Sequence, residues 1–477
     1  MLSVSPSMVG PVGDRWTAEQ VLGLAPAESA AAAARRLASP APWSGTGATA
    51  QPPVVWGSCQ GSGATPYQTA VDLAGDVTGP AFRCSCPSRR IPCKHALGLL
   101  LLWSDGRVEE AEQTRPPEWV SAWLTERSSR AERAAQRAAR TAEADPAAAE
   151  RSAAGAEQRR QQRVSRATAG LDELDTWLRD QVRAGLAGTD RTGYAAFEAV
   201  AARMVDAQAP GVAGVLRRLP AVLVTEGWPE RLLEEYALLH LLVVAHRNLD
   251  RLPEGLAATV RSRVGYPTAK DDVLAGPAIR DRWAVLGLRD TAEDRLTVRR
   301  IWLRGERTGE LALVLSFAPP GQPLDSSLVP GTAVEADLHF YPATPPQRAL
   351  VGVRHSAVGR AAQLDPAQLG GLEAALGIWA TALAADPWTT AWPVLIADAV
   401  PVPPETGPDQ RWWLGDPSGA AVPLLAGGLD RWQLLALSGG HPLVLLGELT
   451  PGGLRPVAVP AAMPASDPAE GPEGVSP

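Results

Sequence analysis

The chain has 477 residues, of which 45% are apolar, enough to build several hydrophobic cores. Its formal net charge of -7 and pI near 5.6 argue against a surface that coats nucleic acid, although a local basic patch stays open. The longest apolar run in the helical half, residues 236–245, is half of a membrane span, and the amino terminus lacks a signal-peptide pattern, so we expect a cytoplasmic protein.

The first segment, residues 1–50, predicts two short helices and a loop. Thr17 is a candidate cap for a helix that begins after Trp16. An Ala-rich run predicts a second helix over 28–37. Residues 38–53 are rich in Pro, Gly, Ser and Thr, which predicts a loop that leads into the next domain, residues 51–125.

This next domain contains a compact group of metal-ligand side chains. Cys84, Cys86, Cys93 and His95 follow the pattern C-x-C-x6-C-x-H. Three thiols and one imidazole match the four-coordinate shell of a structural zinc ion and leave no position open for water. The alternatives are disulfide pairing of the four cysteines, which a chain long enough to build a core does not need, and inert thiols in the core. Cys59, the remaining thiol, is interpreted as a small buried residue.

The motif and its flanks, Cys84 to Pro87 and Pro92 to Ala96 before an apolar run, resemble the SWIM-type zinc finger. The resemblance implies a small ββα unit that holds one structural zinc ion, with the last cysteine and the histidine opening a helix. More loosely, the segments 56–59 and 203–208 are similar to a bacterial family of SWIM-containing proteins. That family implies a partner system built from a MoxR-type ATPase and a von Willebrand A-domain protein.

Four basic residues surround the ligands, namely Arg83, Arg89, Arg90 and Lys94, in a window without acids, Val77 to Ser104. Three thiolates and one zinc ion contribute about -1, so the window keeps a charge of roughly +3. These residues are candidate contacts for phosphate or for a partner protein. The alternative is that they only solvate an exposed module.

Residues 126–167 form an Arg-, Ala- and Glu-rich segment, with ten arginines and six acids between residues 124 and 166. It has few large apolar side chains, so we predict a solvated helix or a flexible linker. Residues 168–290 form the next domain, where apolar residues at helical spacing predict an all-helical fold through about residue 265.

Residues 291–460 contain short strand-like runs separated by Gly, Pro and Asp, with one helix predicted near 366–384. Residues 461–477 form a Pro- and Glu-rich tail for which we predict disorder. The fold class is therefore α+β multidomain: a small ββα zinc finger, an all-helical domain and a β-rich C-terminal region.

Several catalytic signatures are absent from the sequence, including the Walker-type phosphate loop, H-E-x-x-H and G-x-S-x-G. We therefore predict a non-enzymatic zinc-binding adaptor. The acidic net charge favours a protein over DNA or RNA as the ligand of the finger. The alternative is an enzyme or enzyme-complex subunit with an unrecognised site in the β-rich half.

Overall fold

The structure is a computed structural model. It describes residues 15–463 apart from 26–27, 51, 62, 64, 74–79, 89–90, 110–114, 143–145, 187–188, 294–295, 320–323, 326, 357 and 405–410. Its three parts have the predicted order: a small finger-containing region, a helical domain, and a β-rich C-terminal region.

The N-terminal region packs three helices and one antiparallel sheet around a hydrophobic core, and Val54, Trp56 and Ala70 of the sheet form a second cluster with Val120. Its elements are α1 (Ala18–Gly23), α2 (Glu28–Arg35), β1 (Trp43–Ala50), β2 (Pro53–Cys59), β3 (Tyr67–Asp72), β4 (Ala81–Cys84) and α3 (Lys94–Ser104), and the strand order is β1-β2-β3-β4. Thr17 caps α1 through a reciprocal pair of hydrogen bonds with Gln20, as its sequence position predicts. Nine successive residues of α3, from His95 to Trp103, are buried.

The loop predicted over residues 38–53 is wrong for most of its length, because β1 forms there and pairs with β2. The predicted domain boundary at residue 50 therefore falls inside the β1–β2 hairpin. The strand has small residues because it accommodates a large partner: a Cβ atom at Gly47 would lie 2.5 Å from the indole of Trp56. A strand specified by its neighbour in this way lacks the apolar alternation that sequence reasoning uses.

The middle of the chain is helical. It comprises α4 (Glu118–Ala142), α5 (Pro146–Ala184), α6 (Thr189–Asp206), α7 (Pro210–Arg218), α8 (Trp228–Arg247), α9 (Glu254–Val264) and α10 (Lys270–Ala275). The segment 126–167 thus lies on α4 and α5, apart from residues 143–145, which are not among those described. The helical bundle core begins at Ala167 and includes Leu171, Phe197 and Tyr236. Within the described helices, none combines the length and hydropathy needed to cross a bilayer.

In the part of the chain that the structure describes, the β-rich half contains two sheets and two α-helices. The first sheet uses β5 (Ala278–Glu293), β6 (Leu296–Gly305), β7 (Leu311–Ala318), β8 (Thr332–Phe340), β9 (Ala349–Arg354) and β10 (Gly359–Arg360), in the order β10-β8-β5-β6-β7 with β9 also paired to β8. The second uses β11 (Trp392–Val402), β12 (Trp413–Gly415), β13 (Ala421–Pro423), β14 (Leu443–Thr450) and β15 (Gly453–Ala458), in the order β13-β12-β11-β14-β15. The helices are α11 (Leu372–Ala385) and α12 (Arg431–Ser438).

The predicted start of the β-rich region at residue 291 is too late, because β5 begins at Ala278. The first half of β5 is charged, which disguises it as a loop. Arg280 pairs with Glu335 on β8, and the buried Asp281 accepts hydrogen bonds from the backbone amides of Arg307 and Thr308. The Asp281 carboxylate therefore stabilises the turn that contains Arg307 and Thr308 and does not face solvent.

Side chains from different regions meet at several points. Val329, in the loop before β8, is buried in the core of the N-terminal region, and the Gln20 side-chain amide donates to the Gly331 carbonyl at 2.9 Å. The Trp388 indole donates to the Leu238 carbonyl on α8. At the carboxyl end, Ala462 forms a parallel bridge with Leu364, so the predicted disordered tail is paired at its start; residues 464–477 lie outside the described part.

Candidate metal centre

The metal ligands come from two elements and the turn that joins them. Cys84 ends β4, Cys86 lies two residues further on, Cys93 is the cap residue before α3, and His95 is in the first turn of that helix. Thr69 on β3 pairs directly with Cys84. The β3–β4 hairpin and α3 are therefore the ββα unit that the resemblance implies.

The structure brings the four predicted ligands together, with their ligand atoms all within 4.8 Å of one another. The Cys84 Sγ and His95 Nδ1 atoms are 3.8 Å apart. Ligands at about 2.0–2.3 Å from a tetrahedral zinc ion stand roughly 3.3–3.8 Å from each other, so the cluster needs only small shifts to close around one ion. The four residues are positioned to bind one zinc ion.

Two residues that the sequence did not single out support the ligands. The Thr69 hydroxyl lies 3.3 Å from the Cys84 sulfur, and the Tyr67 ring lies 4.9 Å from the His95 ring, centroid to centroid. Such contacts orient ligands and stabilise a thiolate. Only the register of the β3–β4 hairpin could have identified Thr69, since that register sets it opposite Cys84.

The thiols differ in acidity before any metal binds. The hydrogen bond from Cys93, aided by His95 and Thr69, outweighs burial and lowers the pKa of Cys84 to about 3. The pKa of Cys93 is raised because its proton is held by the Cys84 thiolate, and burial raises the pKa of Cys86. Zinc displaces these two protons on binding, so its affinity for the cluster decreases as pH falls.

The four basic residues predicted as contacts do not form one described patch. The Arg83 guanidinium donates to the Trp119 carbonyl at 3.4 Å, whereas Lys94 is exposed at the start of α3. Arg89 and Arg90 lie outside the described residues. Cys59 is buried in the core of the N-terminal region, as its interpretation predicts.

A cavity of about 530 Å³ opens beside the ligands. One wall is the α2 surface formed by Ser29, Ala30 and Ala33, and the other is formed by residues 86–88 and 92–95 together with Tyr67 and Gly61. We call residues 85–88 and 91–94 the knuckle. Three metal ligands, Cys86, Cys93 and His95, line this cavity, so its shape depends on the bound ion.

Two known protein families match the chain. The SWIM zinc finger matches residues 83–103, and the SWIM-associated four-helix bundle domain matches residues 160–264. The first match covers the ligands and α3, and the second covers the bundle from α5 to α9. No curated protein and no solved structure matches the chain.

Proposed function

We propose that this chain, which carries a SWIM zinc finger and a SWIM-associated four-helix bundle domain, is a non-enzymatic adaptor that binds a protein partner through the finger. The zinc shell is filled by four protein ligands, which leaves no coordination position for a reacting water. The ion therefore acts by holding the knuckle in one conformation.

The observation that carries the proposal is the burial of the finger helix. Because His95 to Trp103 face the core, α3 cannot lie in a DNA groove as a recognition helix. The surface that the finger leaves accessible is the knuckle, where Ile91 is 50% exposed, and the adjoining cavity. Alanines, prolines and Tyr67 make most of that cavity apolar, which suits a peptide segment.

Nucleic acid is the second candidate, and the acid-free window around the ligands favours it. Against it, of the two predicted basic contacts that the structure describes, Arg83 points to α4 and Lys94 alone lines the cavity. The net charge of -7 also opposes approach to a polyanion. A protein partner therefore fits the charge distribution better.

The partner class to test first is the one that the resemblance implies, a MoxR-type ATPase with a von Willebrand A-domain protein. An adaptor has three attachment regions here: the finger, the helical bundle and the β-rich half. The proposal assigns the finger the role of the zinc-dependent contact.

The experiment blocks the cavity without removing the metal. Ala33→Trp places an indole in the α2 wall, and Arg36→Trp adds the same bulk at an exposed position just beyond α2. Affinity capture from native lysate, quantified by mass spectrometry, should lose its specific partner with Ala33→Trp and retain it with Arg36→Trp, both at unchanged zinc content. Equal capture by both variants would contradict the proposal.

A salt titration separates the two ligand classes. If all four basic residues contact phosphates, binding of a 20-base-pair duplex should weaken with a log-log salt slope of about -3 to -4. We expect the duplex to bind only weakly at physiological salt, and its affinity to depend less steeply on salt concentration. Submicromolar duplex binding that Arg89→Ala with Arg90→Ala abolishes would instead establish the nucleic-acid candidate.

A further inference from the structure

A second cavity, of about 520 Å³, lies where the two C-terminal sheets approach α9. Arginines make up most of the charged residues of its lining. The charged residues of the wall are Arg263, Arg289, Arg300, Arg348 and Arg455 against Asp386 and Glu448. Five guanidinium groups and two carboxylates leave a net charge of about +3 in a chain whose total charge is -7. Such a concentration of one sign attracts anions.

The arginines on the sheets share one carboxylate. Glu448 on β14 is fully buried and accepts hydrogen bonds from Arg289 at 2.8 Å, from Arg300 at 3.1 Å and from Arg455 at 3.4 Å. One negative charge cannot balance three positive charges, so about two stay uncompensated in a partly desolvated place. Burial, the largest influence, lowers the pKa of Arg289 despite the Glu448 carboxylate.

The fourth arginine, Arg348, has no ion-pair partner among the described residues. Its guanidinium lies 4.2 Å from the centre of the Tyr341 ring, which holds it at the cavity wall by a cation–π contact. The fifth, Arg263, is already paired with Asp386. The unbalanced charge is thus located between Arg348 and the Glu448 cluster.

Two buried donors in the wall also lack acceptors. The Nε atom of Arg289 and the Nε2 atom of Gln347 have no hydrogen-bond partner in the described part of the chain. A buried donor left unpaired destabilises the fold, so native structures rarely keep two in one cavity without a function. A guest rich in acceptor oxygens would satisfy both.

We propose that this cavity binds a small phosphorylated molecule with at least two negative charges. Guanidinium forks match phosphate oxygens in geometry and in charge. The volume suits a ligand the size of a nucleotide, and Tyr341 and Trp392 offer aromatic walls for its organic part. The described lining contains no histidine, cysteine or lysine, which favours binding over catalysis. This site would give the β-rich half a ligand of its own, independent of the finger.

The test measures pyrophosphate binding to the full zinc-loaded chain by titration calorimetry. Arg348→Gln removes the unpaired guanidinium, and Arg280→Gln is the matched control on β5, where Arg280 is paired with Glu335 outside the cavity wall. We expect measurable binding that Arg348→Gln weakens at least 10-fold and Arg280→Gln leaves unchanged. Arg455→Gln should weaken it similarly.

Thermal unfolding of each variant shows whether it is folded. If Arg455→Gln unfolds, the result rests on Arg348→Gln, which removes a guanidinium that forms no ion pair among the described residues and leaves the Arg348 backbone contacts in place. No heat of binding with millimolar pyrophosphate, or equal affinity in wild type and Arg348→Gln, would overturn the proposal. Citrate provides the second arm. Binding of citrate without binding of pyrophosphate would overturn the assignment to phosphate.

Discussion

Cys93 has two functions at one position, because it is a metal ligand and the cap residue of α3. Its carbonyl accepts the Leu97 amide at 3.1 Å, but its side chain makes no capping hydrogen bond. Serine is a good capping residue and a poor zinc ligand. The substitution Cys93→Ser therefore separates loss of the metal from loss of the helix start.

We predict one zinc ion per chain, and near-complete loss of zinc in Cys93→Ser and in His95→Ala. Structural zinc contributes on the order of 10 kcal/mol to modules of this kind, so residues 54–104 should loosen even where serine caps the helix. Elemental analysis of purified protein measures the metal. Cys59→Ala is the control and should keep its zinc; full retention in a Cys84/Cys93 double variant would contradict the assigned ligands.

Asp175, in the helical domain, is a buried carboxylate with three basic side chains as partners. It accepts hydrogen bonds from His240 at 2.6 Å and Arg247 at 3.0 Å, and Arg179 lies 3.1 Å away. Burial opposes its ionisation most strongly, yet these partners together outweigh burial, so the pKa of Asp175 is lowered. The charged carboxylate therefore stabilises the bundle.

We predict that Asp175→Asn lowers the free energy of unfolding by about 2–4 kcal/mol, because it leaves several donors without their charged acceptor. Asp180→Asn, at an exposed pair with Arg183, should change it by less than about 0.5 kcal/mol. A group with a lowered folded pKa contributes fully above its unfolded pKa of about 4, and the contribution is lost as pH falls through the folded value. Urea unfolding should thus show the difference at pH 7 and a smaller one near pH 2.

At the scale of elements, α3 depends on close packing against the end of α2. A Cβ atom at Gly98 would lie 2.7 Å from the Cβ of Leu37, an approach that requires the segment after α2 to move. Gly377 on α11 is also in a helix, but a Cβ there would meet nothing within 4 Å. The two glycines form a natural pair for comparison.

We predict opposite signs for the two alanine substitutions. Gly98→Ala should destabilise the N-terminal region by about 1–3 kcal/mol through overpacking. Gly377→Ala should stabilise the β-rich half by up to about 1 kcal/mol, because alanine is the better helix former. Chemical unfolding monitored by circular dichroism tests both; equal effects would show that α3 does not rest on α2 as described.

The metal ligands and the helical bundle could be predicted from sequence because their signals are local: four ligands within twelve residues, and apolar side chains at helical spacing. The β1 strand could not, because its small residues fit Trp56 on β2. The arginine-lined cavity could not either, since Arg289, Arg348 and Arg455 are far apart in sequence. Only the packing of the two C-terminal sheets brings them to one place, because Arg289 on β5 and Arg348 beside β9 belong to the first sheet and Arg455 on β15 to the second.

At the scale of the whole molecule, zinc should stabilise mainly the region that binds it. We predict that chelation unfolds residues 54–104 and leaves residues 168–460 folded. Unfolding of the N-terminal region would also expose Val329, which is buried in its core. Losing the burial of one valine lowers the free energy of unfolding of the rest of the chain by about 2 kcal/mol, which lowers the midpoint of its later transition by roughly 5 °C. Scanning calorimetry with and without chelator measures this. If the chelator instead unfolded the whole chain in one cooperative transition, the regions would form a single folding unit.

The long helix α5 has a consequence for proteolysis. Its 39 residues extend about 58 Å, but its buried face begins only at Ala167. The preceding stretch is solvent-exposed at most described positions and contains Arg159, Arg160 and Arg163, each a site for trypsin. Local fraying of an unsupported helix suffices to admit a protease. Brief tryptic digestion should therefore divide the native chain into a zinc-containing N-terminal fragment and a fragment that starts near Ala167, each recognisable by intact mass.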